Sequence, residues 1–394
     1  TNYELRFNMK INLKESVVIF LLFISPVRNF AQTTWVDAVD KHGREVFMPA
    51  DKYKWDWGQA TFLNSLIHLY NAKSPTEKII YLNYVKVAMD ATYNVANGKH
   101  PNAVASAHGM AFLARLTGDK KYLDKSNEIY ADYLKIPRAA NGGVSHRAET
   151  NELWDDTVYM LSMYLLEMYR LTNDEKYIAE FLHQFDAHNE TLTDKNTGLW
   201  VHGWDADNED YNDGCSNLGW ADKVTRRSSQ IWARGNGWIG MALADALLTV
   251  SKKSSYRKPL EKALKNYISY VAPLQHKETG YWYQLMTLPN DPQNFDESSS
   301  TAMFSYAITI GLKLKLIPAS DYDPIIDRAY NALKTTGVKS MGDGYLIPVK
   351  VSGGTCVGSK EYYLTRKITE GTGFGYGSFI LFGLAYEQYK GIRK

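Results

Sequence analysis

Two kinds of helical stretch alternate along most of the chain. Residues 104–116, 157–171, 241–250 and 302–316 are apolar on nearly every face. The stretches that follow turns, such as 122–134 and 177–188, carry one apolar stripe and one polar face. A helix apolar all round is buried and one with a polar face lies outside it, so the pattern predicts paired inner and outer helices. The junctions repeat as well. Arg115-Leu-Thr-Gly-Asp-Lys-Lys-Tyr122 returns as Arg170-Leu-Thr-Asn-Asp-Glu-Lys-Tyr177, and more loosely at 248–256 and 314–322. Repetition at this scale means stacked supersecondary units. The expected fold is all-α, an (α/α)6 barrel of six helical hairpins of roughly 60 residues each. An open helical solenoid is the structural alternative. Stretches 136–156, 192–238, 277–300 and 337–376, rich in Gly, Asn, Asp and Trp, interrupt the helices. Loops that long in a compact domain usually carry function.

Composition narrows the class. A net charge of +2 over 394 residues, without a basic run, gives no case for nucleic acid or a membrane surface. The 28 Tyr and 10 Trp belong mostly to packing, but the same rings stack on sugars. Near the start, Met9-Lys10 and Lys14 precede an apolar stretch at 17–24, then Pro26 and Asn29-Phe30-Ala31-Gln32. This order predicts an upstream extension and a signal peptide over 1–31, cleaved near Ala31, and a single catalytic domain over 32–394. The apolar stretch is too short to span a bilayer comfortably, so a secreted or periplasmic protein without membrane contact after cleavage is expected. Cys215 and Cys356 are the only cysteines. They exclude a disulfide framework and a cysteine-rich zinc site, and allow one bond.

Candidate chemistry sits in the interruptions. Glu152-Leu-Trp-Asp155-Asp156-Thr-Val-Tyr-Met160 runs into an apolar helix, with Asp156, Met160 and Met163 on one interior stripe. Asp155 is turned away by about a hundred degrees and reads as a helix cap. By position alone, capping and catalysis fit Asp156 equally; burial that raises its pKa suits a general acid near neutrality. Gly198-Leu-Trp200-Val-His202-Gly-Trp204-Asp205 and Ile231-Trp232-Ala-Arg234-Gly-Asn236-Gly-Trp238 form a second constellation. Gly235 and Gly237 are expected to turn the backbone close to a ligand. Arginine, asparagine and tryptophan would supply a carboxylate fork, amide hydrogen bonds and stacking faces. Asn102, in His100-Pro-Asn102-Ala-Val-Ala-Ser106, is expected in a capping position, and Trp55-Asp56-Trp57-Gly58 plays a similar part before the first inner helix. The run Gly371-Thr-Gly373-Phe-Gly375-Tyr-Gly377 has no strand before it, so helix packing or a mouth loop is expected rather than nucleotide binding. No pair of histidines or carboxylates has metal-ligand spacing, so neither a catalytic metal nor a cofactor is expected.

Four stretches carry a family resemblance: Trp154-Asp-Asp156-Thr-Val-Tyr-Met160, Gly198-Leu-Trp-Val-His202-Gly-Trp, Trp232-Ala-Arg234-Gly-Asn236-Gly-Trp238 and Glu297-Ser-Ser-Ser-Thr-Ala-Met303-Phe-Ser-Tyr. Spread over nearly the whole mature chain, they resemble the unsaturated rhamnogalacturonyl hydrolases, glycoside hydrolase family 105, and the related unsaturated glucuronyl hydrolases. The resemblance implies an (α/α)6 barrel that removes a 4,5-unsaturated uronic acid from the non-reducing end of lyase-generated oligosaccharides, derived from ulvan or rhamnogalacturonan. It further implies that an aspartic acid protonates C4, water adds at C5, and the hemiketal collapses. Asp156 matches that acid. His202, Trp232, Arg234, Asn236 and Trp238 match pocket positions, Asn102 holds a further substrate position, and Arg147 is the candidate for the uronate carboxylate. Many such enzymes have a second aspartate at the start of the helix that holds Asn102 here. An acidic oligosaccharide is the expected partner. Two other readings remain open: a glycosidase on saturated glycosides using the Asp155–Asp156 pair, and a sugar-binding protein without catalysis.

Overall fold

In the computed structural model, which describes residues 33–147, 150–208 and 219–393, the alternation becomes two layers of helices. The expected leader over 1–31 and Cys215 lie outside the described residues. In chain order the helices are α1 (Trp35–His42), α2 (Trp57–Ala72), α3 (Pro75–Thr92), α4 (Pro101–Ala105), α5 (His108–Thr117), α6 (Lys120–Tyr133) and α7 (Asp156–Thr172). They continue as α8 (Lys176–Leu192), α9 (Ala233–Thr249), α10 (Arg257–Val271), α11 (Ser298–Lys313), α12 (Ala319–Ala332), α13 (Lys360–Leu364) and α14 (Gly373–Tyr389).

The inner ring is α2, the α4–α5 pair, α7, α9, α11 and α14, and it closes where α14 packs on α2. Helices α3, α6, α8, α10, α12 and α1 back these from outside. The result is the (α/α)6 barrel and not the open solenoid. Its sixth hairpin is assembled from the two ends of the described chain, α1 lying on α14. Glycines make the closing seam possible. A Cβ on Gly373 would lie 2.3 Å from the Gly58 carbonyl oxygen, and one on Gly377 would lie 2.5 Å from that of Thr61. The glycine run therefore serves helix packing, the first of the two uses expected of it.

The repeated junction has a local cause. Gly118 and Asn173 end α5 and α7 in the left-handed conformation, at φ 67° and 54°, which glycine and asparagine adopt at least cost. The aspartate after each starts the next turn: Asp119 accepts from the Lys121 N–H at 2.9 Å and Asp174 from the Lys176 N–H at 3.0 Å. Short antiparallel pairs fill the interruptions: β1 (Glu152–Trp154) with β2 (Gly203–Asp205), and β3 (Trp282–Tyr283) with β4 (Asp296–Glu297). They are followed by β5 (Val338–Gly342) with β6 (Tyr345–Pro348), and β7 (Val351–Ser352) with β8 (Ile368–Thr369). β1, β4 and β8 each run directly into the start of an inner helix, so the loops gather at the N-terminal ends of that ring. Among the described residues no helix is long and apolar enough to cross a membrane.

Inside the barrel one carboxylate is held by three side chains from two other helices. Asp245 on α9 accepts from the Tyr306 hydroxyl at 2.6 Å and the Asn64 amide at 3.1 Å, and lies 3.4 Å from His68 Nε2. Burial raises its pKa, but the charge of His68 and these hydrogen bonds outweigh burial and hold it below the usual value. Asp245→Asn should destabilise the fold by about 1–3 kcal/mol. Because the folded pKa is depressed, the contribution is present above the unfolded carboxylate range and lost as pH falls through the folded value. Denaturant melts at neutral and acid pH should therefore show the gap between variant and wild type narrowing in acid.

Candidate active site

Pairing of β1 with β2 sets Trp154 opposite Gly203, and the Asp155 N–H donates to the His202 carbonyl at 3.0 Å. Residues far apart in sequence thereby become neighbours. His202 Nε2 lies 3.1 Å from Asp156 Oδ2 and 3.9 Å from Asp155 Oδ1, while its Nδ1 meets the Tyr363 hydroxyl at 2.8 Å. Trp232 packs against the imidazole with ring centroids 4.4 Å apart, and Trp154 meets it edge-on at 5.3 Å. His146 stacks behind Trp154 at 4.6 Å and bonds the Thr157 hydroxyl at 3.0 Å. Within the trio, the side chains of His202 and Asp155 are 0% exposed and that of Asp156 is 11% exposed. Asp156 is the face of the trio that a ligand can touch.

The two carboxyls are driven apart in pKa. Burial pushes Asp155 well above the usual carboxylate value, and the neighbouring Asp156 pushes it further. Burial also raises Asp156, but its hydrogen bond to His202 and the charge there prevail and hold it at about 2. Of the two, Asp155 is the one driven toward the neutral acid and Asp156 the one driven toward the carboxylate. Asp155 is not the cap expected from its position. Its backbone is already helical (φ −61°, ψ −29°) and its side chain makes no cap bond. It points instead at α9, where a Cβ on Gly235 would sit 1.9 Å from Asp155 Oδ2.

That contact corrects the reading of the second block. Helix α9 begins at Ala233, so Gly235 and Gly237 lie in helix rather than in a ligand loop. Gly235 makes room for Asp155, and Gly237 for Met303, whose Sδ would be 2.8 Å from an added Cβ. Side chains expected to face substrate are turned into protein. Arg234, 0% exposed, donates to the carbonyls of Ser352 and Gly353 at 2.7 and 2.6 Å, and its guanidinium is 3.8 Å from Glu297. Trp232 and Phe374 lie 4.6 and 4.5 Å from it. Asn236 accepts from the Trp200 N–H at 3.0 Å and donates to the Trp200 carbonyl at 2.9 Å, pinning the segment that leads to His202. Trp238 is fully buried, stacked on Tyr159 at 5.2 Å. These residues build the wall behind the site.

Two candidates lie further out. Arg147, partly exposed, has its guanidinium 5.8 Å from the Trp154 ring centre. Asn102 is not a cap: His100 holds that place and Pro101 the first helical position, leaving Asn102 partly exposed within the first turn of α4. Asp56 does cap α2, accepting from the Gly58 N–H at 3.2 Å. Three members of the cluster had no signal in the chain: Asp155 as a buried partner, Tyr363 behind His202, and Glu297 as counter-ion of Arg234. Glu297 also caps α11 and accepts from the Ser352 N–H at 2.9 Å. Cys356, in the loop after β7, is disulfide-bonded.

A family model described as Glycosyl Hydrolase Family 88 matches residues 29–390. The chain belongs to that family. An unsaturated rhamnogalacturonyl hydrolase of Bacillus subtilis is 28% identical over 274 residues, 66% of this chain and 72% of that protein. A family 105 glycoside hydrolase of C. acetobutylicum superposes with a TM-score of 0.79 at 22% identity, over 90% of this chain and all of that one, taken as 100%. The unsaturated glucuronyl hydrolase of Bacillus sp. GL1 gives 0.59 at 15% identity, over 87% and 88% of the two chains. At such identities the structures speak for the barrel. The family speaks for an enzyme, a glycoside hydrolase.

In this family 88 chain the reading of the Asp155–Asp156 pair as the two carboxylates of a saturated-glycoside hydrolase does not survive the geometry. Such a pair must flank the bond at about 5 Å or more, and Asp155 is sealed from any ligand. Folding does create what spacing in sequence did not, a trio of Asp155, Asp156 and His202 with ligand atoms within 4.8 Å of one another. Asp156 and His202 are engaged with each other, and the buried Arg234 cation is within electrostatic reach of Asp156, a setting that favours a proton over a divalent ion. Activity should survive prolonged chelation. Loss of activity restored by one divalent ion would contradict this.

Proposed function

We propose that this family 88 enzyme removes a 4,5-unsaturated uronic acid from the non-reducing end of lyase-generated oligosaccharides. The observation that carries the reading is the single carboxyl, Asp156, at the surface of an otherwise sealed cluster with Asp155 and His202. Hydration of a vinyl ether needs one group that delivers a proton to C4 and then takes one from the water adding at C5, so one carboxyl within reach of the sugar suffices. Cleavage at the anomeric carbon needs two. The hemiketal formed at C5 then collapses with release of the aglycone. Arg147, beside Trp154, is assigned to the uronate carboxylate, and Asn102 to the sugar hydroxyls at the mouth. Trp232, Arg234, Asn236 and Trp238 act by holding His202, Asp155 and the surrounding loops in place. The unsaturated rhamnogalacturonyl hydrolase of Bacillus subtilis, by its name, acts on this kind of substrate, which supports the reading.

Oligosaccharides made by lyases from rhamnogalacturonan, ulvan and glycosaminoglycans, incubated with the purified enzyme, form the test. The ultraviolet absorbance of the C4=C5 bond should vanish on at least one, most readily an ulvan or rhamnogalacturonan product. Unchanged absorbance on all three classes would sink the proposal. We also read the protein as exported, on the basic start and short apolar stretch before Ala31. Recovery of a chain beginning near Gln32 from the periplasm or medium of the producing cell tests that.

A further inference from the structure

We propose that Asp155 is a positioning residue that stores the proton used by Asp156, the two carboxyls sharing one proton through a direct hydrogen bond. The inference deepens the proposed hydration and rests on that reading. Three observations support it. Asp155 is 0% exposed and neither of its carboxylate oxygens has a donor. An anion so placed costs several kcal/mol, whereas a carboxylic acid in the same place can donate its O–H to the carboxylate of the adjacent Asp156, whose oxygen lies within 4.8 Å. The side chain lies against Gly235, the third residue of α9. There the helix N-terminus and the positive charge of Arg234 stabilise a carboxylate once the proton has left. And Asp156, held at about 2, is ionised at neutral pH and cannot deliver a proton unless one reaches it from a neighbour.

The proton balance closes. In the resting enzyme Asp155 is protonated and Asp156 is a carboxylate bonded to His202. The proton crosses to Asp156, whose O–H breaks as the new C4–H bond forms and positive charge develops at C5 and the ring oxygen. Water adds at C5, and its released proton returns to the pair. One water is consumed per turnover and no other reactant is needed.

The test compares wild type, Asp155→Asn and Asp156→Asn in two measurements. The first is the pH profile of kcat/KM on a 4,5-unsaturated uronyl disaccharide. Asp155→Asn should lose roughly 10- to 100-fold at pH 7 with little change in KM, and recover toward wild type in acid, because the remaining carboxyl keeps its proton only at low pH. A profile parallel to that of wild type at every pH, merely lower, would assign Asp155 to packing and overturn the proposal. The second is infrared difference spectroscopy without substrate, which stands even if no unsaturated sugar is turned over. Wild type should show the carbonyl band of a protonated carboxyl at neutral pH that disappears in Asp155→Asn. In Asp156→Asn the band should persist but shift, since its hydrogen-bond acceptor has changed, and this arm does not require Asp155→Asn to fold. Absence of the band from wild type, or no shift in Asp156→Asn, would overturn the proposal.

Discussion

Asp156→Asn should lower turnover by roughly a hundred- to ten-thousand-fold, the scale of a lost general acid, while the fold and substrate binding persist. Asparagine fits the space, and its side-chain oxygen can still accept from His202 Nε2, the present partner of Asp156 Oδ2 at 3.1 Å. What it cannot do is carry a proton to C4. The change should therefore appear in kcat rather than KM, and it should persist at every pH, unlike that expected of Asp155→Asn. Steady-state kinetics with thermal melts of the same preparations check this. Near-normal turnover by a folded Asp156→Asn enzyme would show that the acid lies elsewhere.

Arg234→Met should cost about 3–5 kcal/mol of stability, the range for breaking a buried ion pair from one side. The guanidinium holds the carbonyls of Ser352 and Gly353 and faces Glu297, all out of water. Methionine still packs between Trp232 and Phe374 but loses the cation held over their rings and leaves Glu297 without its partner. Glu297 keeps its bonds to the Ser299 and Ser300 N–H groups, so α11 should remain capped while the 352–355 loop loosens. Denaturant unfolding measures the loss. An unchanged midpoint would mean that Arg234 faces ligand rather than protein.

The barrel was legible in the chain because its causes are local. All-round apolarity marks an inner helix, and the Thr-Gly-Asp and Thr-Asn-Asp junctions mark a left-handed stop followed by a new first turn. Closure of the ring was less visible, since α14 meets α2 and α1 from the opposite end of the described chain. In the site, the interior stripe placed Asp156 correctly at the head of α7. The block from Trp232 to Trp238 misled for a physical reason. Glycine, arginine, asparagine and tryptophan are the residues of a sugar pocket, and equally those needed where a helix start must admit a buried carboxyl and anchor two loops. Only the neighbours tell these apart. Asp155 against Gly235, Asn236 on Trp200 and Arg234 on Ser352 are contacts between distant segments that no spacing encodes.

The claim that the enzyme works on the C4=C5 bond is tested most directly by an unsaturated uronyl disaccharide beside its saturated counterpart, with absorbance and released reducing sugar followed together. The account predicts that only the unsaturated sugar is split, the chromophore disappearing in step with release. Cleavage of the saturated sugar at a comparable rate, or release that leaves the absorbance intact, would contradict it.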